Sequence, residues 1–159
     1  MSQRGFAVAA FRDLEQWRCA PLPPSVLGDL DVLLAALRSQ SPEGGPFVLA
    51  GVEDEFFLIA RLRGTRTLLL LSDLTASVEF PLAAQALDQL GEEPPDDDEM
   101  DDAWPIGDLE LFEDLGLSED EMDRLFDDPD AYPDETLEAI VNAIGLAEPY
   151  RQAVESLRP

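Results

Sequence analysis

The sequence predicts an α+β fold: an antiparallel sheet of about five strands in the order ββαβββα with helices packed on a face, followed by an acidic linker and a small acidic helical C-terminal region. Three observations lead there. Short apolar runs of strand length fill the first half, "GFAVAAF" at 5–11 and then "FVLAGV", "EFFLIARLR" and "TLLLLS" in close succession. Two longer stretches among them place apolar residues at helical spacing. The charge divides the chain near Gly91, with 11 acidic against 7 basic residues in 1–90 and 24 against 3 in 91–159.

The first strand is followed by the polar "RDLEQ" and by "WRCA", in which Trp17 and Cys19 alternate with Arg18, so the two form a hairpin. "PLPP" stops it. Ser25 is the candidate N-cap of a helix through "VLGDLDVLLAALRSQ", where Val26, Leu30, Leu33, Leu34 and Leu37 share one face. "SPEGGP" at 41–46 breaks the chain, and the three strands after it are joined by connectors of about two to four residues, which makes a meander the economical topology. The stretch "SDLTASVEFPLAAQALDQLG" opens on Asp73 and Thr75 as capping candidates and closes on Gly91; Pro81 either kinks this helix or marks its true first turn.

Residues 92–104, "EEPPDDDEMDDAW", hold eight carboxylates and no positive charge. Adjacent like charges repel and Pro94–Pro95 opposes a helix, so an extended tether is expected over 92–103. Beyond it three apolar stripes recur: Leu109, Leu111, Phe112 and Leu115; Met122, Leu125 and Phe126; Leu137, Ile140, Val141 and Ile144. Ser118 with Glu121 forms a capping box, and Pro133 followed by Asp134 and Glu135 suits a helical first turn. The resulting map is an α+β domain over 1–90, expected to fold by itself, an acidic linker over 91–107 and an acidic helical region over 108–159.

A chain of 159 residues with 45% hydrophobic content can bury a core, so its formal charge of −25 does not signal global disorder. Cys19 is the only cysteine, which rules out an internal disulfide and fits a reduced cytoplasmic protein. The N-terminal "MSQRGFAVAAF" lacks the long apolar core of a secretion signal, and "TLLLL" is far too short to span a bilayer, so no membrane partner is expected.

Clustered carboxylates raise the question of a metal. An EF-hand loop needs glycine at its sixth position, where the window from Asp97 has Asp102 and the window from Asp128 has Pro133. With no histidine and one cysteine, a zinc set is not available either. The absence of histidine also removes the usual general base and every Ser-His or Cys-His pair, and "EGGP" lacks the lysine and setting of a phosphate loop. No catalytic, cofactor-binding or metal residue is therefore assigned. Cys19 is either a thiol whose pKa the neighbouring Arg18 lowers or, as is commoner for a lone Cys at strand spacing, a small buried hydrophobe, and Trp17 fits a core position. Trp104 is either the residue that docks the linker on the core or an exposed anchor for a partner.

Direct nucleic-acid binding is disfavoured, because affinity for phosphates comes from Lys and Arg releasing counterions. Arg61, Arg63 and Arg66 make a small basic patch at a hairpin end, better matched to the chain's own acidic tail. The tail in turn suits a basic protein surface: Asp96, Asp97, Asp98, Asp101 and Asp102 for steering, with Trp104, Leu109 and Phe112 as apolar anchors.

The stretch "VEDEFFLIARLRGTRTLLLLSDLTASVEFPLAAQALDQLG", the acidic gap and the closing "GDLELFEDLGLSEDEMDRLF" together resemble the bacterial tRNA adenosine deaminase-associated proteins, small acidic proteins of unknown biochemical role. The resemblance implies a partner, tRNA adenosine deaminase, and supplies no catalytic residues. The chain is not the deaminase itself, since neither an H-x-E motif nor P-C-x-x-C is present. Three classes of function follow: a non-catalytic interaction or regulatory protein, an acidic binding module or chaperone-like protein for another basic client, and an enzyme working with carboxylates alone.

Overall fold

Six strands make one antiparallel sheet in the spatial order β2-β1-β3-β4-β5-β6. They are β1 (Gly5–Asp13), β2 (Gln16–Pro21), β3 (Phe47–Val52), β4 (Phe56–Arg63), β5 (Arg66–Leu71) and β6 (Ile106–Gly107). The structure, a computed structural model, describes residues 5–40, 44–52, 55–93, 105–127 and 132–156. The first five strands are those the sequence predicts, and β3, β4 and β5 form the meander. In the β1–β2 hairpin, Leu14 and Glu15 both adopt left-handed φ, 51° and 66°, which suits a tight two-residue turn but is unusual for residues with a Cβ.

The sheet is covered on both faces, not one. Helix α1 (Leu30–Arg38) and helix α2 (Pro81–Leu90) bury Leu33, Leu37, Leu82 and Leu87 against the face made by Ala9, Val48, Ala50, Leu58 and Leu69. The opposite face, with Val8, Phe47, Leu49, Phe57, Ile59 and Leu70, is covered by the C-terminal part of the chain: α3 (Glu119–Arg124), α4 (Pro133–Ala143) and α5 (Ala147–Ser156). Met122, Leu137, Ile140, Val141, Tyr150 and Ala153 are their inward side chains. The reason lies in the strands, which are apolar at both parities: β4 buries Phe56, Leu58 and Ala60 on one side and Phe57 and Ile59 on the other.

Local capping sets the helix starts. Ser25 is not the cap of α1: Pro24–Leu27 is a 3₁₀ turn, and the helix begins after Asp29, whose carboxylate accepts from the Asp31 N–H at 2.9 Å. Gly28 is a poor helix interior and Asp29 a strong cap, so the start moves downstream. Asp29→Ala should cost about 1 kcal/mol in urea unfolding, the ordinary cost of a lost N-cap. Pro81 is the first helical residue of α2, the second of its two predicted roles, and Asp73 caps the separate 3₁₀ turn Leu74–Val78. Gly91 ends α2 at φ 74°.

Within 91–107, residues 94–104 lie outside the described part, but Ile106 and Gly107 are strand rather than linker. They pair with Leu71 and Leu70. Gly107 is required there: at φ 124° a Cβ would stand 2.2 Å from the Leu69 carbonyl oxygen. The helix expected from the Leu109–Leu115 stripe is instead a run of turns with a short 3₁₀ segment, Glu113–Leu115, closed by Gly116 at φ 100°. The other two stripes lie on α3 with its C-terminal turn and on α4, with Ser118 capping α3 through the Glu121 N–H and Pro133 opening α4.

Candidate functional site

The joint between the sheet and the acidic C-terminal layer is built on one arginine. Arg61 sits on β4 facing the C-terminal layer, with none of its surface exposed. Its guanidinium lies between two rings, 6.0 Å from the Phe47 centroid and 5.6 Å from the Phe112 centroid, which pack edge-on with each other at 4.7 Å. All five N–H donors are used. Nε donates to the Gly45 carbonyl (2.9 Å), Nη1 to the Leu111 carbonyl (2.6 Å) and to Asp114 Oδ1 (2.6 Å), and Nη2 to the Gly44 carbonyl (2.9 Å) and to Asp114 Oδ2 (3.0 Å). This is the paired, fork-like geometry that makes burying an arginine tolerable.

Arg63 adds a second cation, its Nη1 2.8 Å from Asp114 Oδ1. Partial burial alone would raise the Asp114 carboxyl, but the Arg61 hydrogen bonds, the charges of Arg61 and Arg63 and a backbone hydrogen bond outweigh it and hold Asp114 below the usual aspartate range. The basic patch of the hairpin end therefore does pair with the acidic tail, through Arg61 and Arg63; Arg66 makes no ion pair among the described residues. Nearby, Asp108 closes the sheet edge: its N–H donates to the Leu69 carbonyl at 2.7 Å and its Oδ2 accepts from the Leu69 N–H at 3.0 Å.

This joint turns apolar side chains inward and carboxylates outward. Glu113, Glu119, Asp120, Glu121 and Asp123 are exposed on or just before α3, and Asp134, Glu135 and Glu138 on α4. Part of that charge serves the helices themselves, since anions favour helix N-termini and three acids occupy the first turn of α3. The remainder is a solvent-facing anionic surface.

Of the residues the sequence points to, Asp96, Asp97, Asp98, Asp101, Asp102 and Trp104 lie outside the described part. Phe112 is wholly buried against Phe47 and Arg61, and Leu109 is half-buried against the same cluster, so here both hold the acidic segment onto the sheet. Sequence reasoning did not single out Asp114 or Asp108. The signal for the first was an arginine set in the apolar run "EFFLIARLR", which must find a counter-ion if that strand is buried. Cys19 is half-buried, and burial pushes its thiol up to about 11, which leaves it protonated and unreactive near neutral pH. Among the described residues no three metal-ligating side chains converge, and no helix is long and apolar enough to cross a membrane.

Residues 5–147 match the model of the Rv3753c-like tRNA adenosine deaminase-associated proteins. The chain belongs to this family. The match runs from β1 to the first residue of α5, so the sheet, the joint, α3 and α4 lie within what the family model describes. A curated relative, Protein Rv3753c of Mycobacterium tuberculosis, is 39% identical over 154 residues, covering 96% of this chain and 89% of the relative. No solved structure matches the chain significantly.

Proposed function

We propose that the protein is a non-catalytic interaction protein that docks on tRNA adenosine deaminase through its acidic C-terminal half. The observation that carries the reading is the family to which the chain belongs, whose description names that association. Electrostatics supports it. Residues 91–159 hold 24 acidic against 3 basic residues, a self-repulsion that a cationic partner relieves and a field that steers a basic surface, such as one built to bind tRNA. The Arg61–Asp114 joint supports it too, because it ties the turn just before α3 to the sheet and so helps to set where the carboxylates of α3 stand. A chain without histidine and with its one thiol half-buried offers little for catalysis, and the reading assigns it none. Its place of action would be the cytoplasm.

Titrating purified deaminase with the full-length protein, with and without tRNA, tests this. Binding should be strong at low salt and fall as salt rises, with steering by exposed charge largely screened above the roughly 0.15 M at which the Debye length is about 8 Å. Replacing Asp96, Asp97, Asp98, Asp101 and Asp102 with Asn should slow association, whereas Trp104→Ala should mainly speed dissociation. No binding at low salt sinks the reading. Equal binding to unrelated basic proteins would favour an acidic module with many clients.

A further inference from the structure

The two edges of the sheet are treated differently. At one edge the chain closes β5 with its own β6 and with the Asp108 carboxylate on the Leu69 N–H. At the other, β2 has no described partner on its outer side. The Leu22 N–H donates to the Ala7 carbonyl, and Trp17 and Cys19 stand opposite Arg12 and Ala10, so even-numbered residues of β2 turn their backbone groups to β1. Trp17 and Cys19 therefore point their N–H and C=O groups away from the sheet, and among the described residues nothing accepts from or donates to them.

Beside this edge runs a surface groove of about 470 Å³ between β2 and α5. Trp17, Cys19 and Ala153 give it an apolar lining; Glu148, Gln152 and Ser156 line it from α5. The Trp17 ring is anchored on Phe47 at 5.4 Å, so the lining is set by the core. The groove's two charged lining residues, Arg18 and Glu148, are each paired with a residue outside it, Arg18 with Asp13 at 3.3 Å and Glu148 with Arg151 at 3.5 Å. Protonated at neutral pH, Cys19 adds apolar surface rather than reactivity.

We propose that the β2 edge and its groove dock an extended, positively charged segment of a partner protein as a seventh strand. An extended chain is the ligand that satisfies the free backbone groups of Trp17 and Cys19, while every second side chain enters the groove. The sign of the charge follows from the molecule's field: at a formal −25 it attracts cationic segments and opposes a second copy of itself. Pro21 ends the site by removing the next outward N–H, which limits pairing to a short stretch. This docking site is separate from the acidic surface of α3 and α4 and holds or fails independently of it.

The probe is an N-acetylated, C-amidated peptide of alternating valine and arginine, titrated into isotopically labelled full-length protein. Shifts should centre on the Trp17 and Cys19 amides and the Trp17 indole, and the same peptide interrupted by proline should bind about tenfold more weakly or worse, a loss near 1.4 kcal/mol. Gln152→Trp, which fills the groove from an exposed position on α5 without altering any residue of the sheet, should weaken binding similarly. Cys19→Pro should do the same while leaving the ladder to β1 in place. Equal binding of the proline-interrupted peptide, or shifts centred on α3 and α4, would reduce the effect to charge alone and overturn the proposal. Dimerisation through β2, seen by sedimentation, would overturn it in favour of a second copy.

Discussion

Residues 1–90 expressed without the rest of the chain are expected to show no cooperative unfolding transition and to bind dyes that report exposed apolar surface. Cutting after Leu90 removes α3, α4 and α5 and uncovers the sheet face carrying Val8, Phe47, Leu49, Phe57, Ile59 and Leu70, all with no exposure in the whole protein. A large apolar side chain gains about 1.5–3 kcal/mol on burial, so the six uncovered together lose as much as the roughly 5–15 kcal/mol by which a domain is stable. The cut also strands Arg61 in that face without Asp114 or the Leu111 carbonyl. Circular dichroism and urea titration of the fragment decide the matter. A sharp transition with a slope matching a 90-residue domain would show that α1, α2 and the sheet suffice, and that the C-terminal layer is an attachment.

Charge composition points the other way, toward a nearly balanced domain and a separate acidic tail, and the contrast shows what a sequence carries. Strand runs, the Ser118 and Pro133 starts and the stripes at Met122 and at Leu137–Ile144 are local, and they are where the sequence places them. Which faces of the sheet are covered is not local. It was nevertheless written in β4 and β5, where "FFLIA" and "LLLL" show no alternation, and a strand apolar at both parities needs cover on both sides. The two residues of β6 carry no periodicity to detect. Phe112 presents the same difficulty at the level of one side chain. Its apolar character was legible, but whether it faces a partner or Phe47 depends on the turn at 113–116 and on Arg61, which lies 51 positions away in the chain.

Arg61→Met should be the most damaging single substitution in the sheet, at about 3–5 kcal/mol, although methionine fills much of the same volume and suits an apolar site. The cost comes from what stays behind. The Gly44, Gly45 and Leu111 carbonyls each lose their Arg61 donor, and the Asp114 carboxylate loses its fork and keeps Arg63 and a backbone hydrogen bond. Arg61→Lys keeps the charge but cannot serve five acceptors in one plane, so it should recover only part of the loss. Asp114→Asn should cost less, about 1–2 kcal/mol, because its side chain is 37% exposed and water replaces part of what is lost. The two differ in acid. Asp114 is held below its ordinary pKa in the folded state, so its contribution is complete above the usual aspartate range and is lost as pH falls through the folded value. The stability gap between the native protein and Asp114→Asn should therefore be level at neutral pH and close below about pH 4, while the Arg61→Met gap persists in the part due to the three carbonyls. Urea unfolding of the native protein and the two variants from pH 7 down to pH 3 measures both. An Asp114→Asn gap unchanged in acid would show that the carboxylate's charge does not matter to the joint, and an Arg61→Met protein as stable as the native one would show that the joint does not hold the acidic layer to the sheet.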